Sequence, residues 1–410
     1  DKMSETKLNN QSPEPMKKIR EYDLNEILQI IDGGEGVNTE SLKALLDNKP
    51  EVVAYDGFEC SGVMHIAQAL KRTWMTNILT KNGIKCKILL ADCFAKMNHK
   101  LGGDLKKIQK AGQLMIETWK ACGMDMENVE FIWASEEIVK RLAEYWELII
   151  DISTKMRLHR VKRCTTIMGR GEDDDLSTSQ ILYPVMQCAD VFFLKADICS
   201  LGLDQRKVNM MAIEYAGMTK RKFKPVVLSH HMLMGLDGSN KMSKSKPDNA
   251  IFMNDSVADV KRKIKKAFCE PGNVEVNPML EYCQYIILPI LGYLEIKRPE
   301  KYGGDLKYDN INTLTSDFKE EKLHPGDLKP AVIDAINQLL EPVRKYFEEN
   351  AEAKKLSKEV KGYLAQQAKA KAKEEANTKP KEAQTVVLDK EEAKIKNEEA
   401  QTVVLDKEEK

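Results

Sequence analysis

The chain has 410 residues, 64 of them basic and 64 acidic, so its net charge is zero. This length suffices for two domains with substantial cores. The charge balance excludes an overall field that would attract nucleic acid and leaves only local patches. Nine cysteines without paired short spacings argue against a zinc site and for the reduced thiols of a cytoplasmic protein. No apolar run could span a membrane, and acidic residues near the N-terminus argue against a targeting peptide.

The first elements of the chain combine a strand, a turn and a helix. The apolar run at 52–55 predicts a buried strand, the segment at 56–62 is rich in turn-forming residues, and the apolar spacing beyond it predicts a helix. His65 and Gln68 fall in the first turn of that helix, three residues apart and therefore on one face. Because a helix N-terminus favours anions, this pair is a candidate phosphate site. A histidine near a helix start can also be an ordinary surface residue.

Strand and helix signals alternate as far as residue 258. Apolar runs at 88–90, 191–194 and 226–228 suit buried parallel strands, and apolar residues between 105 and 119 recur at helical spacing. This alternation predicts an α/β fold in which helices cover a parallel sheet. Beyond about residue 259 the strand signal fades, and the helical spacing at 332–347 predicts a smaller, mainly helical domain.

Polar residues near the carboxyl ends of the predicted strands are candidates for substrate binding, because ligands of doubly wound sheets bind there. They are Tyr55, Asp92, Tyr183, Gln187, Asp190 and Gln205. The spacings of four and three between Tyr183, Gln187 and Asp190 put these three on one face of a helix. For Asp190, a helix cap or a core salt bridge is the structural alternative.

The segment at 241–245, Lys-Met-Ser-Lys-Ser, suits a loop that closes over phosphates. Its two lysines offer mobile charges, and its hydroxyl groups and backbone amides offer hydrogen bonds. Alone, such a segment is as readily a solvated turn. The phosphate-type element at 61–68 favours the phosphate-binding interpretation.

The segments at 65–68, His-Ile-Ala-Gln, and 241–245 resemble the HIGH and KMSKS signatures of class I aminoacyl-tRNA synthetases. The turn at 55–62, Tyr-Asp-Gly-Phe-Glu-Cys-Ser-Gly, is similar to that of the tyrosyl enzymes, and the resemblance to their archaeal and eukaryotic members extends from about residue 52 to residue 347. The domains it implies are a flexible arm at 1–20, a Rossmann-type catalytic domain at 21–258, a helical anticodon-binding domain at 259–355 and a charged tail at 356–410.

The resemblance implies a reaction in two steps. L-tyrosine is activated with ATP to tyrosyl-adenylate and pyrophosphate, and the tyrosine is then transferred to the 3′-terminal adenosine of tRNA(Tyr). Mg²⁺ accompanies the ATP, and no metal ligand is expected from the protein. The family also implies a cytoplasmic homodimer without a membrane partner. An apolar excess around Trp119 could reflect dimerisation, but core packing explains it equally well.

The resemblance also implies roles for individual residues. Those implied in catalysis are His65, Gln68, Lys241 and Lys244. Those implied in tyrosine binding are Tyr55 and Asp190 at the phenolic hydroxyl, Tyr183, Gln187 and Gln205 at the ammonium, and Asp92. Those implied in ATP binding are Gly57, Gly62, His65, Gln68, Asp204, Lys241, Ser243, Lys244 and Ser245. Tyr302 and Asp327 are implied in reading the anticodon, by stacking on a base and by hydrogen bonding to its edge.

Two other functions stay open at this point. A tryptophanyl enzyme shares the fold and signatures, but its ligand has no phenol to match Tyr55 and Asp190. A non-enzymatic RNA-binding relative would have degraded signatures, whereas those of this chain are present. Three residues depart from the family pattern and bear on catalytic efficiency: Cys60 replaces a proline, Ala69 a glycine and Cys93 a bulky residue.

Two further segments have more than one interpretation. The basic run at 261–266 suits contact with RNA phosphates, or a solvated helix face. An 11-residue segment at 382–392 recurs identically at 399–409. It predicts a disordered or partly helical tail, or a docking motif that gains avidity from its duplication.

Overall fold

The computed structural model describes residues 20–31, 38–171, 174–222, 224–242, 246–370 and 372–373. Both copies of the duplicated segment, and the predicted arm except for residue 20, lie outside these ranges. Within them, no helix is both long enough and apolar enough to cross a membrane.

A parallel sheet organises the first part of the chain. Its strands are β1 (Val52–Phe58), β2 (Ile84–Leu90), β3 (Val129–Trp133), β4 (Ile198–Cys199) and β5 (Val226–Val227). They lie in the order β3-β2-β1-β4-β5, so the chain builds the sheet outward from β1 to one edge and then returns to the other side of β1. The strand order thus reverses between β1 and β4, the position at which such sheets bind ligands. This architecture confirms the predicted α/β fold.

Helices cover the sheet, as the burial of the first five residues of β1 requires. Those of the first part are α1 (Leu24–Leu28), α2 (Thr39–Asn48), α3 (Arg72–Lys81), α4 (Asp92–Met97), α5 (Leu105–Ala121), α6 (Ala134–Lys140), α7 (Leu142–Lys155), α8 (Leu158–Lys162), α9 (Thr178–Phe193) and α10 (Arg206–Met218). The predicted helix at 105–119 is α5, which begins where the Asp104 side chain accepts hydrogen bonds from two backbone amides of its first turn.

The second part of the chain is mainly helical, as expected. Its elements are α11 (Val257–Lys266), α12 (Pro278–Tyr282), α13 (Leu288–Leu291), β6 (Leu294–Ile296), β7 (Leu306–Tyr308), α14 (Ile311–Lys319) and α15 (Pro325–Glu349). The helical spacing at 332–347 corresponds to α15, whereas the antiparallel pair β6–β7 was not predicted. One continuous apolar core includes Met64 of the first part together with Ile264 of α11 and Ile336 of α15. Residues 351–370 form a last helical segment, which crosses the predicted start of the tail.

The predicted strand at 191–194 is wrong. Val191 and Phe193 belong to the last turn of α9 and are buried there. The sheet resumes at β4 only after Lys195, whose φ of +54° turns the chain. A short apolar run is compatible with a strand and with a buried helix segment alike. The apolar pattern at 191–194 therefore could not distinguish the two.

Trp119 is fully buried in the core, so core packing accounts for the apolar excess around it. Its ring contacts Phe58 edge to face at 5.0 Å and stacks with Phe131 at 5.7 Å. The Trp119 indole Nε1 donates a hydrogen bond of 2.9 Å to the backbone oxygen of Gln68. This residue therefore anchors the segment that resembles the first signature.

Helix α5 crosses close to the turn before that segment, and Gly112 is the residue that permits the approach. A Cβ atom at Gly112 would lie 2.6 Å from Cη2 of Trp133 and 2.8 Å from Sγ of Cys60. Both neighbours are side chains packed in the interior, so neither can move away without disturbing other contacts. Cys60, which replaces the family's proline, thus fills space against α5.

We expect Gly112→Ala to lower the free energy of unfolding by about 1–3 kcal/mol because of overpacking, although alanine is the better helix former. Gly362 is the matched control, since it also lies inside a helical segment but a Cβ there would meet nothing within 4 Å. Gly362→Ala should leave stability unchanged or raise it by up to about 1 kcal/mol. Urea unfolding measures both variants, and equal effects would contradict the tight packing at Gly112.

Candidate active site

A cavity of about 540 Å³ opens at the carboxyl ends of β1, β2 and β4, where the strand order reverses. Predicted site residues that line it are Tyr55, Gly57, His65, Gln68, Tyr183, Gln187, Asp190, Asp204, Gln205 and Lys241. Ser243, Lys244 and Ser245 lie outside the described residues. The structure thus brings together residues separated by more than a hundred positions in the sequence.

A buried carboxylate, that of Asp190, belongs to this cavity. Asp190 is 2% exposed, and its Oδ1 accepts a hydrogen bond of 2.9 Å from the hydroxyl of Tyr145. Its Oδ2 has no hydrogen-bond partner within the described part of the chain. Buried polar atoms are nearly always paired, so this oxygen is an acceptor suited to a ligand donor.

Tyr145 is a site residue that was missed at the sequence level. It lies on the buried face of α7 with Ile149 and Ile152, and this spacing does predict burial. Its partner stands 45 positions further along the chain. Spacing within one helix cannot reveal such a partner.

The environment of Asp190 favours its neutral form. Burial raises the pKa of Asp190 to about 8, and the hydrogen bond from Tyr145 offsets part of that rise. Burial and the adjacent Asp190 carboxylate also raise the pKa of Tyr55. This end of the cavity is therefore polar and shielded from solvent, with the ring of Tyr55 only 1% exposed.

A second polar group lines the cavity beside α9. The hydroxyl of Tyr183 donates a hydrogen bond of 3.0 Å to Oε1 of Glu59, and Nε2 of Gln187 donates one of 3.0 Å to Oε1 of Gln205. Glu59 also accepts a bond of 2.8 Å from Nδ2 of Asn98. Sequence reasoning had not assigned Glu59 to the site. Together these carboxylate, amide and hydroxyl oxygens provide acceptors for a cationic ligand group.

His65 lies between two backbone hydrogen bonds that join the two signature regions. The amide of Ile66 donates to the carbonyl of Ile251, and the amide of Met253 donates to the carbonyl of Met64, both at 3.0 Å. The segments 64–66 and 251–253 therefore pair antiparallel, in what we call the signature joint. The second of these segments follows the lysine loop at 241–245.

The helix after His65 starts with a π-helical turn, Ala67–Lys71, before it becomes α3. The prediction placed His65 and Gln68 in the first turn of this helix, whereas His65 lies in the β-bridge just before it. π-helical turns occur preferentially at functional sites. The bond from Trp119 to the backbone of Gln68 holds this turn, and the Gln68 side chain lines the cavity. Its Oε1 has no partner among the residues that the structure describes.

Lys241 reaches across the cavity to Asp204. Its Nζ atom lies 3.4 Å from Oδ2 of that carboxylate, and both side chains are partly exposed. Exposed pairs of this kind contribute little stability. The contact can therefore open without a large cost when a ligand competes for either partner.

Two of the predicted residues lie elsewhere. Asp92 does not line the cavity; it is fully buried at the start of α4, where its carboxylate accepts bonds from Ser135 and Gln109. Those bonds give it a bracing role between helices. Gly62, at φ +126°, faces the last helical segment, and a Cβ there would lie 3.0 Å from both Cδ atoms of Leu364.

A buried ion pair forms another part of the cavity wall that the sequence did not indicate. The carboxylate of Asp56 lies 3.1 Å from the guanidinium of Arg72, which also donates to the backbone and hydroxyl oxygens of Ser200. Burial raises the pKa of Asp56 to about 7, against the lowering effect of Arg72. The pair connects the ends of β1 and β4 to the first turn of α3.

The remaining candidates are distributed outside the cavity. Cys60, Ala69 and Cys93 do not line it. Tyr302 is well exposed in a short helical turn, and Asp327 lies in the first turn of α15. In the described ranges, no three His, Cys, Asp or Glu side chains come together as a metal site would require.

Sequence comparisons identify relatives of the chain. The model of the family "tRNA synthetases class I (W and Y)" matches residues 47–341. The chain is 52% identical over 332 residues to tyrosine–tRNA ligase 1, cytoplasmic, of Arabidopsis thaliana, an alignment that covers 81% of this chain and 86% of that protein. It is 39% identical over 360 residues to the tyrosine–tRNA ligase of Thermococcus kodakarensis, covering 80% of this chain and 95% of that protein.

Solved structures give the same picture. The tyrosyl-tRNA synthetase of Pyrococcus horikoshii complexed with L-tyrosine superposes with a TM-score of 0.75 at 37% identity, covering 82% of this chain and 99% of that one. The Leishmania major tyrosyl-tRNA synthetase in complex with tyrosinol has a TM-score of 0.78 at 43% identity. The match covers 83% of this chain but 52% of the Leishmania chain, so this chain spans about half the length of that relative.

Asp190→Asn should change how stability depends on pH. The pKa of Asp190 is about 8 in the folded protein against an ordinary value of 3.8, so between these values the folded state holds a proton that the unfolded state has released. This group therefore makes the wild type less stable as pH rises through that window. Relative to wild type, the variant should gain unfolding free energy by at most about 1.4 kcal/mol per pH unit.

Urea unfolding between about pH 5 and pH 8 measures this difference. Asp151→Asn is the control, because hydrogen bonds from Lys155 and Tyr215 lower the pKa of Asp151 and move its titration below that range. A constant difference between Asp190→Asn and wild type across the range would contradict the raised pKa.

Proposed function

Because the chain belongs to the class I tRNA synthetases of tryptophan and tyrosine, and within them to the tyrosine–tRNA ligases, we propose that its cavity binds and activates L-tyrosine. The enzyme joins L-tyrosine and ATP to tyrosyl-adenylate with release of pyrophosphate, and then transfers the tyrosine to the 3′-terminal adenosine of tRNA(Tyr). The observation that carries this assignment to the site is the buried carboxylate of Asp190 with its unpaired Oδ2.

Tyrosine recognition follows from that carboxylate. A phenolic hydroxyl donates to Oδ2 of Asp190 while Tyr145 donates to Oδ1, which satisfies both oxygens. Phenylalanine would leave the buried oxygen unpaired, at a cost in free energy. Discrimination of this kind needs no editing site, and tyrosine enzymes are its standard example. Tyr55 supplies the second hydroxyl at this end of the cavity.

The ammonium of the substrate is assigned to the oxygens beside α9. Gln187 and Gln205 are hydrogen bonded to each other there, and Tyr183 is hydrogen bonded to the carboxylate of Glu59, which adds negative charge. A cation in this position replaces the bonds that these side chains make to one another. Asp92 does not contact the substrate in this assignment. It fixes the end of β2 and the start of α4, which carry the cavity wall.

Catalysis depends on position more than on acid or base groups. The tyrosine carboxylate is already ionised at neutral pH and attacks the α-phosphate of ATP, so the protein has to align the reactants and stabilise phosphate charge. His65 and Gln68 contact the phosphates from the start of the helix, and Gly57 lets the nucleotide approach the backbone. Lys241 and Lys244 neutralise the departing pyrophosphate.

Binding of ATP also breaks the contact between Lys241 and Asp204. The ribose donates to Asp204, and the ammonium of Lys241 turns to the phosphates, so that binding exchanges one weak ion pair for two ligand contacts. Ser243, Lys244 and Ser245 lie outside the described residues, and their assignment to ATP binding rests on the resemblance of the segment to the family signature. Mg²⁺ enters with the ATP phosphates and shares their charge.

RNA binding is assigned to the helical part of the chain. Tyr302 presents an exposed ring suited to stacking on an unpaired anticodon base, and Asp327 offers a carboxylate acceptor for the base edge. The regions around them are linked, because the guanidinium of Arg298, shortly before Tyr302, donates to the carbonyl of Lys322, shortly before Asp327, at 3.1 Å.

The enzyme acts as a homodimer in the cytoplasm. Three apolar residues of α7, each at least half exposed, recur at helical spacing and form one stripe: Leu142, Trp146 and Ile150. A contiguous apolar stripe of this size is typical of an interface, and a self-complementary face suits a twofold dimer. The named cytoplasmic location of the Arabidopsis relatives supports the same compartment.

Exchange of labelled pyrophosphate into ATP tests the function. The wild-type protein should catalyse exchange with tyrosine, and Asp190→Ala should reduce its selectivity for tyrosine over phenylalanine by about 10–100-fold, since phenylalanine then no longer leaves a buried polar oxygen unpaired. Asp151→Ala is the control, because that carboxylate also binds a tyrosine hydroxyl, that of Tyr215, but does not line the cavity. It should keep full selectivity.

Exchange driven by tryptophan, or by neither amino acid, would refute the function. Selectivity that survives Asp190→Ala would instead refute only the assignment of the tyrosine pocket.

Trp146→Glu should convert the dimer to a monomer, because it places a charge in the centre of the apolar stripe. Met218→Glu is the matched control, since Met218 is 53% exposed against 55% for Trp146 and lies outside the stripe. Light scattering coupled to gel filtration gives the mass of each variant. A wild-type monomer, or a dimer that withstands Trp146→Glu, would contradict this interface.

A further inference from the structure

The side chain of Lys263, on α11, contacts one of the two segments of the signature joint, the one that contains residues 251–253. Its Nζ atom donates hydrogen bonds of 2.9 Å to the carbonyl of Ala250 and 2.7 Å to Oδ2 of Asp255. The same ammonium lies 4.9 Å from the centre of the Phe252 ring. One cation thus holds the segment 250–255 at both ends and in its middle.

Lys263 differs in this respect from the rest of the basic run at 261–266. It is 5% exposed, whereas Lys261, Lys265 and Lys266 are exposed to solvent. An ammonium is costly to bury unless it is paired and hydrogen bonded. Its contacts with two oxygens and a ring face meet that condition, so Lys263 is not available to RNA phosphates.

The Asp255 end of the segment is fixed from several sides. Oδ2 of Asp255 also accepts a hydrogen bond of 2.9 Å from the amide of Phe252, which closes a tight turn. Its carbonyl accepts one of 3.1 Å from Nε of Arg344, on α15. From the same helix, Lys329 donates to the carbonyls of Lys265 and Ala267 at the end of α11. The support of the joint therefore includes the helical part of the chain.

We propose that Lys263 is a positioning residue for ATP, which sets the place of His65 relative to the lysine loop through the segment 250–255. Phe252 of that segment lies opposite His65 in the joint, and Lys241 stands nine residues before the start of the segment. Displacement of the segment moves the two phosphate-binding regions relative to each other. A misplacement of about 1 Å can cost up to about 100-fold in rate. The inference rests on the proposed binding of ATP in this cavity.

Lys263→Met tests the proposal, because it keeps an unbranched side chain of nearly the same length and removes its charge and donors. We expect an approximately tenfold rise in the Kd and KM for ATP, with less than a twofold change for tyrosine, whose end of the cavity does not touch the joint. Lys261→Met is the matched control, the same change on the exposed face of the same helix, and should leave both constants unchanged. Calorimetric titration gives the two Kd values and pyrophosphate exchange the two KM values.

A double variant, Asp255→Asn with Lys263→Met, separates positioning from charge balance. It removes the negative charge that Lys263→Met alone leaves without its cation, and should therefore be more stable to heat than the single variant while ATP binding stays weak. It also replaces the single variant as the test if that variant does not fold.

Three results would overturn the proposal. They are unchanged ATP binding in Lys263→Met, equal weakening of ATP and tyrosine binding, and full recovery of ATP binding in the double variant. The ATP titrations do not depend on which amino acid is activated. Failure of the proposed function, seen as wild-type exchange without a response to tyrosine, is therefore distinguishable from failure of this inference.

Discussion

Two backbone hydrogen bonds, one on each side of His65, hold the first signature region of this chain against the segment that follows the second. The two regions are far apart in sequence, and nothing in their side chains alone would bring them together. Backbone pairing fixes their relative position without using the polar side chains that are proposed to bind ATP. The π-helical turn behind His65 and the bond from Trp119 to Gln68 hold the same place from the other side. The nucleotide end of the cavity is thus defined by main-chain geometry.

The amino acid end of the cavity is built on a different principle. Asp190, Tyr145 and Tyr55 are almost completely shielded from water, and selectivity there depends on the cost of leaving a buried polar atom unpaired. That cost is large because the surroundings are shielded from water, which cannot replace the missing partner. At the nucleotide end, Lys241 and Asp204 are partly exposed and their contact is weak. The proposed site thus combines a pocket shielded from water for the amino acid with a more accessible region for the phosphates.

The sequence predicted what local patterns encode. The first strand, the turn after it, α5 and α15 follow from apolar spacing, and the residues of one helical face, Tyr183, Gln187 and Asp190, do line one cavity. Partnerships between distant residues could not be predicted this way. Tyr145 with Asp190 and Asp56 with Arg72 depend on how elements pack, and Asp92 faces other helices rather than the ligand. Lys263 shows the same limit, since a basic run has the same composition whether one of its members is buried or not.

The contact between Gly62 and Leu364 gives the last helix a part in the catalytic architecture. By composition, residues beyond 355 look dispensable, yet Leu364 fills the space beside a turn whose φ of +126° only glycine tolerates well. Val360, one turn earlier, is fully buried. For protein engineering, the consequence concerns where the chain can be shortened or fused. An enzyme truncated after residue 355 would leave the turn at Gly62 without Leu364, its packing partner. Truncation after residue 370 would preserve this contact.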